Sequence, residues 1–180
     1  MKVNEYLKKL ESSWALVDIS SLTHAVEIVQ KKLQSDSQIF VIGNGGSSST
    51  ASHFVTDWVK GNRESHSILG RVLCLSDNTP LISAIGNDIS FEEVFSYQLK
   101  SYARPNDLLV CVTGSGNSRN IINACKQAKL IGMQVLALTG FDGGQTLLNA
   151  DYSFHCPVED MQIVEDMHLS FGHLVIRCNN

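Results

Sequence analysis

Apolar residues recur along the chain with two different spacings. In some segments they return every three or four positions, which predicts helices with one buried face, at 3–10, 22–33, 50–59, 81–85, 91–102, 119–130 and 161–177. Short, mostly apolar runs between them predict buried strands, at 38–42, 71–75, 107–112, 134–138 and 152–156. Strands of this kind that alternate with helices indicate an α/β fold with a parallel sheet covered on both faces. We expect a single domain over 1–180, in which the helices of 1–35 contribute to packing between subunits.

The composition narrows the classes of protein to consider. The chain has 180 residues, 43% of them hydrophobic and 18% charged, which suits one compact domain. The formal net charge of -4 gives no reason to expect a nucleic-acid partner. The sequence has no apolar run of about 18 residues and no signal-peptide features, and its scattered cysteines suit buried thiols in a reducing compartment. We therefore expect a cytoplasmic protein with no membrane partner.

Two loops rich in glycine and serine each follow a predicted strand and precede a predicted helix. They read GNGGSSS at 43–49 and TGSGNS at 113–118. Glycines let the backbone approach a ligand, and the unpaired N–H groups of a helix's first turn attract an anion. Neither loop has a Walker motif or a G-x-G-x-x-G pattern, so we expect no nucleotide cofactor. A small phosphate monoester fits best, although ordinary turns before helices also use these residues.

An ordered set of motifs extends over nearly the whole chain. The motifs are GNGGSSSTASHF (43–54), AIGND (84–88), TGSGNSRN (113–120), LTGFDGG (138–144) and EDMHLSFGH (165–173). In order and spacing they resemble those of the SIS-domain phosphoheptose isomerases of bacteria. The resemblance implies a single SIS domain with a five-stranded parallel sheet flanked by helices, a flavodoxin-like three-layer sandwich. It also implies a homotetramer that isomerises sedoheptulose 7-phosphate to an aldose heptose 7-phosphate through an enediol(ate), in lipopolysaccharide or capsule biosynthesis.

The resemblance also assigns roles to particular residues. It gives the catalytic role to Asp57 and His173. It implies that the substrate is contacted by Asn44, Gly45, Ser47, Asp88, Thr113, Ser115, Ser118 and Glu165. It also implies that Asp142 lies near the edge of the site. Taken singly, His53, Asp57, Glu165 and His173 would each also suit a packed or solvated helix position.

The imidazoles and carboxylates of this set are also suitable metal ligands. His53 and Asp57 are four residues apart, and Glu165 and His173 are eight apart, so each pair shares one face of its helix. In the family the position of Asp57 is a glutamate, and that of Glu165 is commonly a glutamine. This chain therefore has a shorter base and an additional charge. A Zn²⁺ site formed by His53, Asp57, Glu165 and His173 is one hypothesis, and a site that works without metal is the other.

The sequence leaves more than one function open. The leading hypothesis is isomerisation of sedoheptulose 7-phosphate. The departures at Asp57 and Glu165 keep open the isomerisation of a different sugar phosphate in polysaccharide biosynthesis. A third hypothesis is a non-catalytic SIS protein that binds a sugar phosphate or a replication initiator, which the presence of both His53 and His173 disfavours.

Overall fold

The computed structural model describes residues 1–65 and 70–178. Its helices and strands, in chain order, are α1 Val3–Trp14, α2 Ile19–Leu33, β1 Gln38–Gly43, α3 Gly46–Ser65, β2 Arg71–Cys74, α4 Thr79–Asp88, α5 Ser96–Tyr102, β3 Leu108–Thr113, α6 Arg119–Ile131, β4 Gln134–Gly140, α7 Gly144–Leu148, β5 Tyr152–Cys156 and α8 Met161–Arg177. A 3-10 turn, Phe91–Glu93, lies between α4 and α5.

The strands of the described residues form a parallel sheet in the order β2-β1-β3-β4-β5. This is the order of flavodoxin-like folds, in which the chain builds one edge of the sheet, returns past the first strand and then builds the other edge. The predicted α/β fold with five parallel strands is confirmed.

Alternate residues of each strand face opposite layers of helices. On one face, Ile39 and Val41 belong to a core that includes residues of α1, α2, α3 and α8. On the other face, Phe40 and Ile42 belong to a core with residues of α4, α5 and α6. All four of these residues of β1 are at most 1% exposed, which is why β1 is apolar at successive positions rather than alternating with polar ones.

Besides shifts of a few residues at the ends of α1, α2 and α4, three helical segments differ from the sequence prediction. α3 begins at Gly46 rather than at 50, because the loop serines form its first turn, where the Ser48 N–H donates to the carbonyl oxygens of Asn44 and Gly45. The predicted helix 91–102 is a 3-10 turn followed by α5. α7 was not predicted, because it has only five residues and is too short to show a helical period.

The cysteines have the environment that the sequence predicted. All five are free thiols, and four of them are buried. Burial raises the pKa of Cys74 to about 11 and that of Cys156 to about 12, so these thiols stay protonated and unreactive near neutral pH. Within residues 1–65 and 70–178, no helix is both long and apolar enough to cross a membrane.

Candidate active site

Ligands in sheets of this topology bind where neighbouring strands send their helices to opposite faces. Here that point lies between β1, which leads to α3, and β3, which leads to α6. Both Gly/Ser loops contribute to one cleft of about 190 Å³ at this position, lined by Asn44, Ser47, Val112, Thr113, Gly114, Ser115, Ser118, Met161 and Glu165. The two loops that the sequence singled out therefore share a cavity.

The first loop turns directly from β1 into α3. A Cβ at position 43 would lie 2.5 Å from the carbonyl oxygen of Ser47, so only glycine permits this close approach. Ser47 is 7% exposed, and its hydroxyl makes no hydrogen bond within the part of the chain that the structure describes. Ser47 therefore offers a donor to a ligand at the N-terminus of α3, where the helix dipole favours an anion.

The second loop is held in shape by its own side chains. Thr113 Oγ1 accepts a hydrogen bond from the Gly116 N–H at 3.2 Å, and Ser115 Oγ accepts one from the Asn117 N–H at 3.2 Å. Gly116 adopts a φ of 66°, which favours glycine. Ser118 precedes α6 at its N-cap, but its side chain makes no capping hydrogen bond. Its hydroxyl is therefore available to a ligand in the cleft.

The charge of the cleft is set by Glu165. The described residues that line the cleft include this one carboxylate and no lysine or arginine. A Cβ at position 46 would lie 2.6 Å from Glu165 Oε1, so the carboxylate lies against the first residue of α3. The positive end of the helix dipole stabilises a carboxylate there. It would stabilise a bound phosphate in the same way.

A second group of polar side chains lies further along α3 and α8. His53 Nε2 is 3.1 Å from Asp57 Oδ2 and 3.3 Å from His173 Nε2, and His173 Nε2 is 3.6 Å from Asp57 Oδ2. These three residues bring ligand atoms close enough together to hold a metal ion. In a tetrahedral zinc site with ligands about 2.0–2.1 Å from the metal, neighbouring ligand atoms lie about 3.3 Å apart. The spacing of the three atoms fits that geometry.

Buried aromatic packing between α3 and α8 holds this group in place. Phe54 and Trp58 stack at 4.8 Å, and both contact Phe171. The Trp58 indole N–H donates to the carbonyl oxygen of Gly172 at 3.1 Å. Phe54 and Trp58 each follow a residue of the polar group on α3, and Gly172 directly precedes His173 on α8. The apolar contact therefore fixes how closely the imidazoles and the carboxylate approach.

The structure separates Glu165 from the metal group in which the sequence analysis placed it. Within the described residues, that group consists of His53, Asp57 and His173. Glu165 lies about 12 Å along the helix axis from His173 and lines the cleft. Its predicted role as a fourth metal ligand stays a prediction.

Two predicted contacts, Gly45 and Asp88, and the predicted edge residue Asp142 lie outside the residues that line the cleft. Asp88 ends α4 and is exposed, with Oδ1 accepting a hydrogen bond from the Asn87 amide at 2.7 Å. Asp142 is exposed and accepts a hydrogen bond from the Gly144 N–H at 3.2 Å. Gly45 is exposed in the first loop. Contacts of these residues with the substrate stay predictions.

The residues that support the two loops were not predicted from the sequence. The Asn120 side chain forms two hydrogen bonds with that of Asn44. From α7, Thr146 donates its N–H and its hydroxyl to the Gly116 carbonyl oxygen, at 2.9 Å and 2.8 Å. Met161 lines the cleft from the start of α8. Asn120 ends the TGSGNSRN motif, which was an available signal, whereas the contacts of Thr146 and Met161 depend on tertiary packing.

Comparisons with known proteins agree with this geometry. Residues 3–140 match the SIS domain family. The chain belongs to the SIS domain family. This SIS protein is 34% identical to the phosphoheptose isomerase of Akkermansia muciniphila, over 96% of this chain and 91% of that protein. It is 32% identical to the probable phosphoheptose isomerase of Thermoplasma acidophilum, over 97% of this chain and 96% of that protein.

A solved structure extends the likeness to three dimensions. The phosphoheptose isomerase of Neisseria gonorrhoeae superposes with a TM-score of 0.89 at 30% identity, covering 98% of this chain and 95% of that one. The resemblance to SIS-domain phosphoheptose isomerases is thus confirmed along nearly the whole chain.

Proposed function

We propose that this SIS protein is an aldose–ketose isomerase that acts on sedoheptulose 7-phosphate. One observation carries the proposal. The two hydroxyl-lined loops share a cleft, and Asp57 and His173 approach each other on the two helices that begin at that cleft. Identities of 34% and 30% to phosphoheptose isomerases, each over nearly the whole chain, support the same reaction.

The separation of the cleft from the imidazoles suits a long sugar. Ser47 and His53 are six residues apart on α3, which is an axial rise of about 9 Å. With carbon–carbon bonds of about 1.5 Å, an extended heptose 7-phosphate places its first carbon about 10 Å from the phosphorus. A triose phosphate bound by the same loops would be several ångströms too short. The geometry therefore supports a substrate longer than a triose phosphate, and a heptose 7-phosphate has a suitable length.

The reaction needs two proton transfers and no other change of atoms. One of Asp57 and His173 takes a proton from C1 of the ketose, which gives an enediol(ate), and that proton returns to C2. The other residue transfers the hydroxyl proton from O1 to O2, so that C1 becomes the aldehyde carbon. The loop hydroxyls bind the phosphate and keep the sugar in place during both transfers.

We also propose that His53, Asp57 and His173 bind zinc. Two imidazole nitrogens and one carboxylate oxygen suit this metal, and catalytic zinc sites use three protein ligands. When bound, zinc would polarise the sugar oxygens and stabilise the negative charge of the enediolate. A nitrogen or oxygen atom that ligates zinc is not free to take up a proton, so this role is an alternative to proton transfer by the same atoms of Asp57 and His173. In protein purified without chelator, metal analysis should find about one zinc per chain, and a His53→Ala variant should lose it. If the unchanged protein contains no stoichiometric metal, that result would contradict zinc binding but not the isomerase proposal.

A panel of ketose phosphates tests the proposed substrate. We expect kcat/KM to be highest for sedoheptulose 7-phosphate, lower for six-carbon and five-carbon ketose phosphates, and absent for dihydroxyacetone phosphate. Aldose formation can be followed by NMR spectroscopy. A preference for a shorter ketose phosphate would overturn the heptose assignment. A lack of turnover with every member of the panel would favour a non-catalytic binding protein.

A further inference from the structure

We infer that Asn120 is a positioning residue that fixes the side-chain amide of Asn44 for the substrate. Asn44 Nδ2 donates to Asn120 Oδ1, and Asn120 Nδ2 donates to Asn44 Oδ1, both at 2.9 Å. Asn44 lines the cleft, whereas Asn120 is not among the lining residues and is only 2% exposed. Asn120 would therefore act through Asn44. The inference rests on the proposed function of the cleft.

The reciprocal hydrogen bonds fix which way each amide faces. Rotating one amide by half a turn would set nitrogen against nitrogen and oxygen against oxygen, so neither amide can rotate without the other. Each amide retains one N–H outside the pair. At Asn44, which borders the cleft, that N–H is available to a substrate oxygen. Without Asn120, the Asn44 amide would sample both orientations and would present its oxygen for part of the time.

The same pair connects the two phosphate loops. Asn44 directly follows β1, and Asn120 is the second residue of α6, just after the loop that follows β3. The helices that leave these two strands lie on opposite faces of the sheet. The paired amides therefore span the crevice and hold its two sides at a fixed separation. A preformed site loses less free energy to ordering when the ligand binds.

A double-mutant cycle tests this inference with four proteins: the unchanged chain, Asn44→Ala, Asn120→Ala and the double variant. The measurements are kcat/KM for sedoheptulose 7-phosphate and the Kd of inorganic phosphate by calorimetry. We expect kcat/KM of each single variant to fall about fivefold to tenfold. The reason is that each substitution removes a net free energy of about one hydrogen bond. If Asn120 acts through Asn44, the double variant should be no worse than Asn44→Ala. Losses that multiply in the double variant would overturn the inference.

Two further variants separate positioning from general damage to the fold. Asn123, one turn further along α6, donates its amide to the Glu92 carbonyl oxygen and to Glu93 Oε1, away from the cleft. Asn123→Ala should keep unchanged kcat/KM and phosphate Kd. Asn120→Leu keeps the side-chain volume while removing both hydrogen bonds, and it replaces Asn120→Ala in the cycle should the alanine variant unfold.

The two readouts distinguish failure of this inference from failure of the proposed function. If the unchanged chain isomerises no sugar phosphate but the phosphate Kd follows the expected non-multiplicative pattern, the proposed function fails and the positioning role stands. If isomerisation is present but the effects of Asn44→Ala and Asn120→Ala multiply, the positioning role fails alone.

Discussion

The Glu165 carboxylate lies where it would repel a bound phosphate. It borders the cleft at the start of α3, and no lysine or arginine is among the described lining residues. Like charges a few ångströms apart repel by roughly 1 kcal/mol or more near a protein surface. We expect Glu165→Gln to tighten the binding of inorganic phosphate by roughly fivefold to tenfold at low ionic strength.

Calorimetry on both proteins measures this effect. Glu159→Gln is the matched control, because Glu159 is exposed, precedes α8 and does not line the cleft. That variant should bind phosphate as the unchanged chain does. Weaker phosphate binding by Glu165→Gln would contradict the account and would indicate that the carboxylate supports the site, for example through a bound cation.

His168 predicts how stability depends on pH. It is fully buried, and neither ring nitrogen makes a hydrogen bond of good geometry within the described residues, although the Thr139 backbone lies close enough to act on the ring. Burial lowers the pKa of His168 from 6.5 to about 4. Between these values the unfolded chain binds a proton that the folded chain does not, so stability is lost as the pH falls from 6.5 towards 4. Above pH 6.5 this contribution is constant.

Urea unfolding at pH 7 and pH 5 tests this prediction. His168 should account for roughly 2 kcal/mol of the stability lost between these two pH values. In His168→Leu that part of the loss should disappear. At pH 7 the variant should be at least as stable as the unchanged chain, because it no longer buries two unpaired nitrogens. An equal loss between pH 7 and pH 5 in both proteins would show that His168 is not the responsible group.

At the scale of single residues, the motifs predicted which residues form the site better than they predicted where those residues lie in space. The residues of the two loops were found from the sequence, because glycine and serine before a helix have a direct physical meaning. A shared helix face says nothing about separation along the axis, so the sequence could not decide between a cleft position and a metal-ligand position for Glu165. The partner of Asn44 was also missed, since it is 76 residues away in the chain.

At the scale of elements, the contact between α3 and α8 sets the geometry of the imidazole group. A Cβ at position 172 would lie 2.4 Å from the Phe54 ring. Gly172→Ala should therefore force the two helices apart and reduce the free energy of unfolding by about 1–3 kcal/mol. Because Gly172 precedes His173, kcat should also fall.

Thermal unfolding and steady-state kinetics measure the two effects. Gly86→Ala is the control, because a Cβ at position 86, within α4, would meet nothing within 4 Å. In a helix interior alanine is favoured over glycine by about 0.5–1 kcal/mol, so this variant should be as stable as the unchanged chain or more so. A Gly172→Ala protein with unchanged stability and kcat would show that α3 and α8 can shift without consequence for the site.

The periodicity of the sequence predicted the strands and long helices, whereas the ends of helices depended on local hydrogen bonds. β1, β3 and β4 were found because buried parallel strands are apolar on both faces. The partly exposed edge strands β2 and β5 were found as shorter apolar runs between helices. The true start of α3 was missed because its first turn consists of glycine and serine, which have low helix propensity. Glycine is required just before this turn, because a Cβ at position 43 would lie 2.5 Å from the Ser47 carbonyl oxygen.

At the scale of the whole molecule, the open side of the site predicts an oligomer. The His53 and His173 side chains are 44% and 51% exposed. Val3 and Leu7, one turn apart on α1, are 76% and 55% exposed. Exposed apolar surface on a helix is commonly covered by a second subunit, and we propose a homotetramer. Asp88 and Asp142, which are exposed in one chain, would be available to the site of a neighbouring subunit.

Sedimentation velocity at micromolar concentration tests the assembly. We expect a single species of four chains, and Leu7→Glu should shift it towards smaller species because it would bury a charge in the interface. Leu130→Glu is the control, since Leu130 is exposed at the end of α6, on the opposite face of the sheet from α1. A stable monomer of the unchanged chain would contradict the proposed tetramer.

The most direct test of the central claim is hydrogen exchange at the reacting carbons. The protein is incubated with sedoheptulose 7-phosphate in heavy water, and deuterium at C1 and C2 is followed by NMR spectroscopy. We predict that the unchanged chain incorporates deuterium and that His173→Ala does not, although it still binds inorganic phosphate. Exchange at an undiminished rate in His173→Ala, or no exchange in the unchanged chain, would contradict the account.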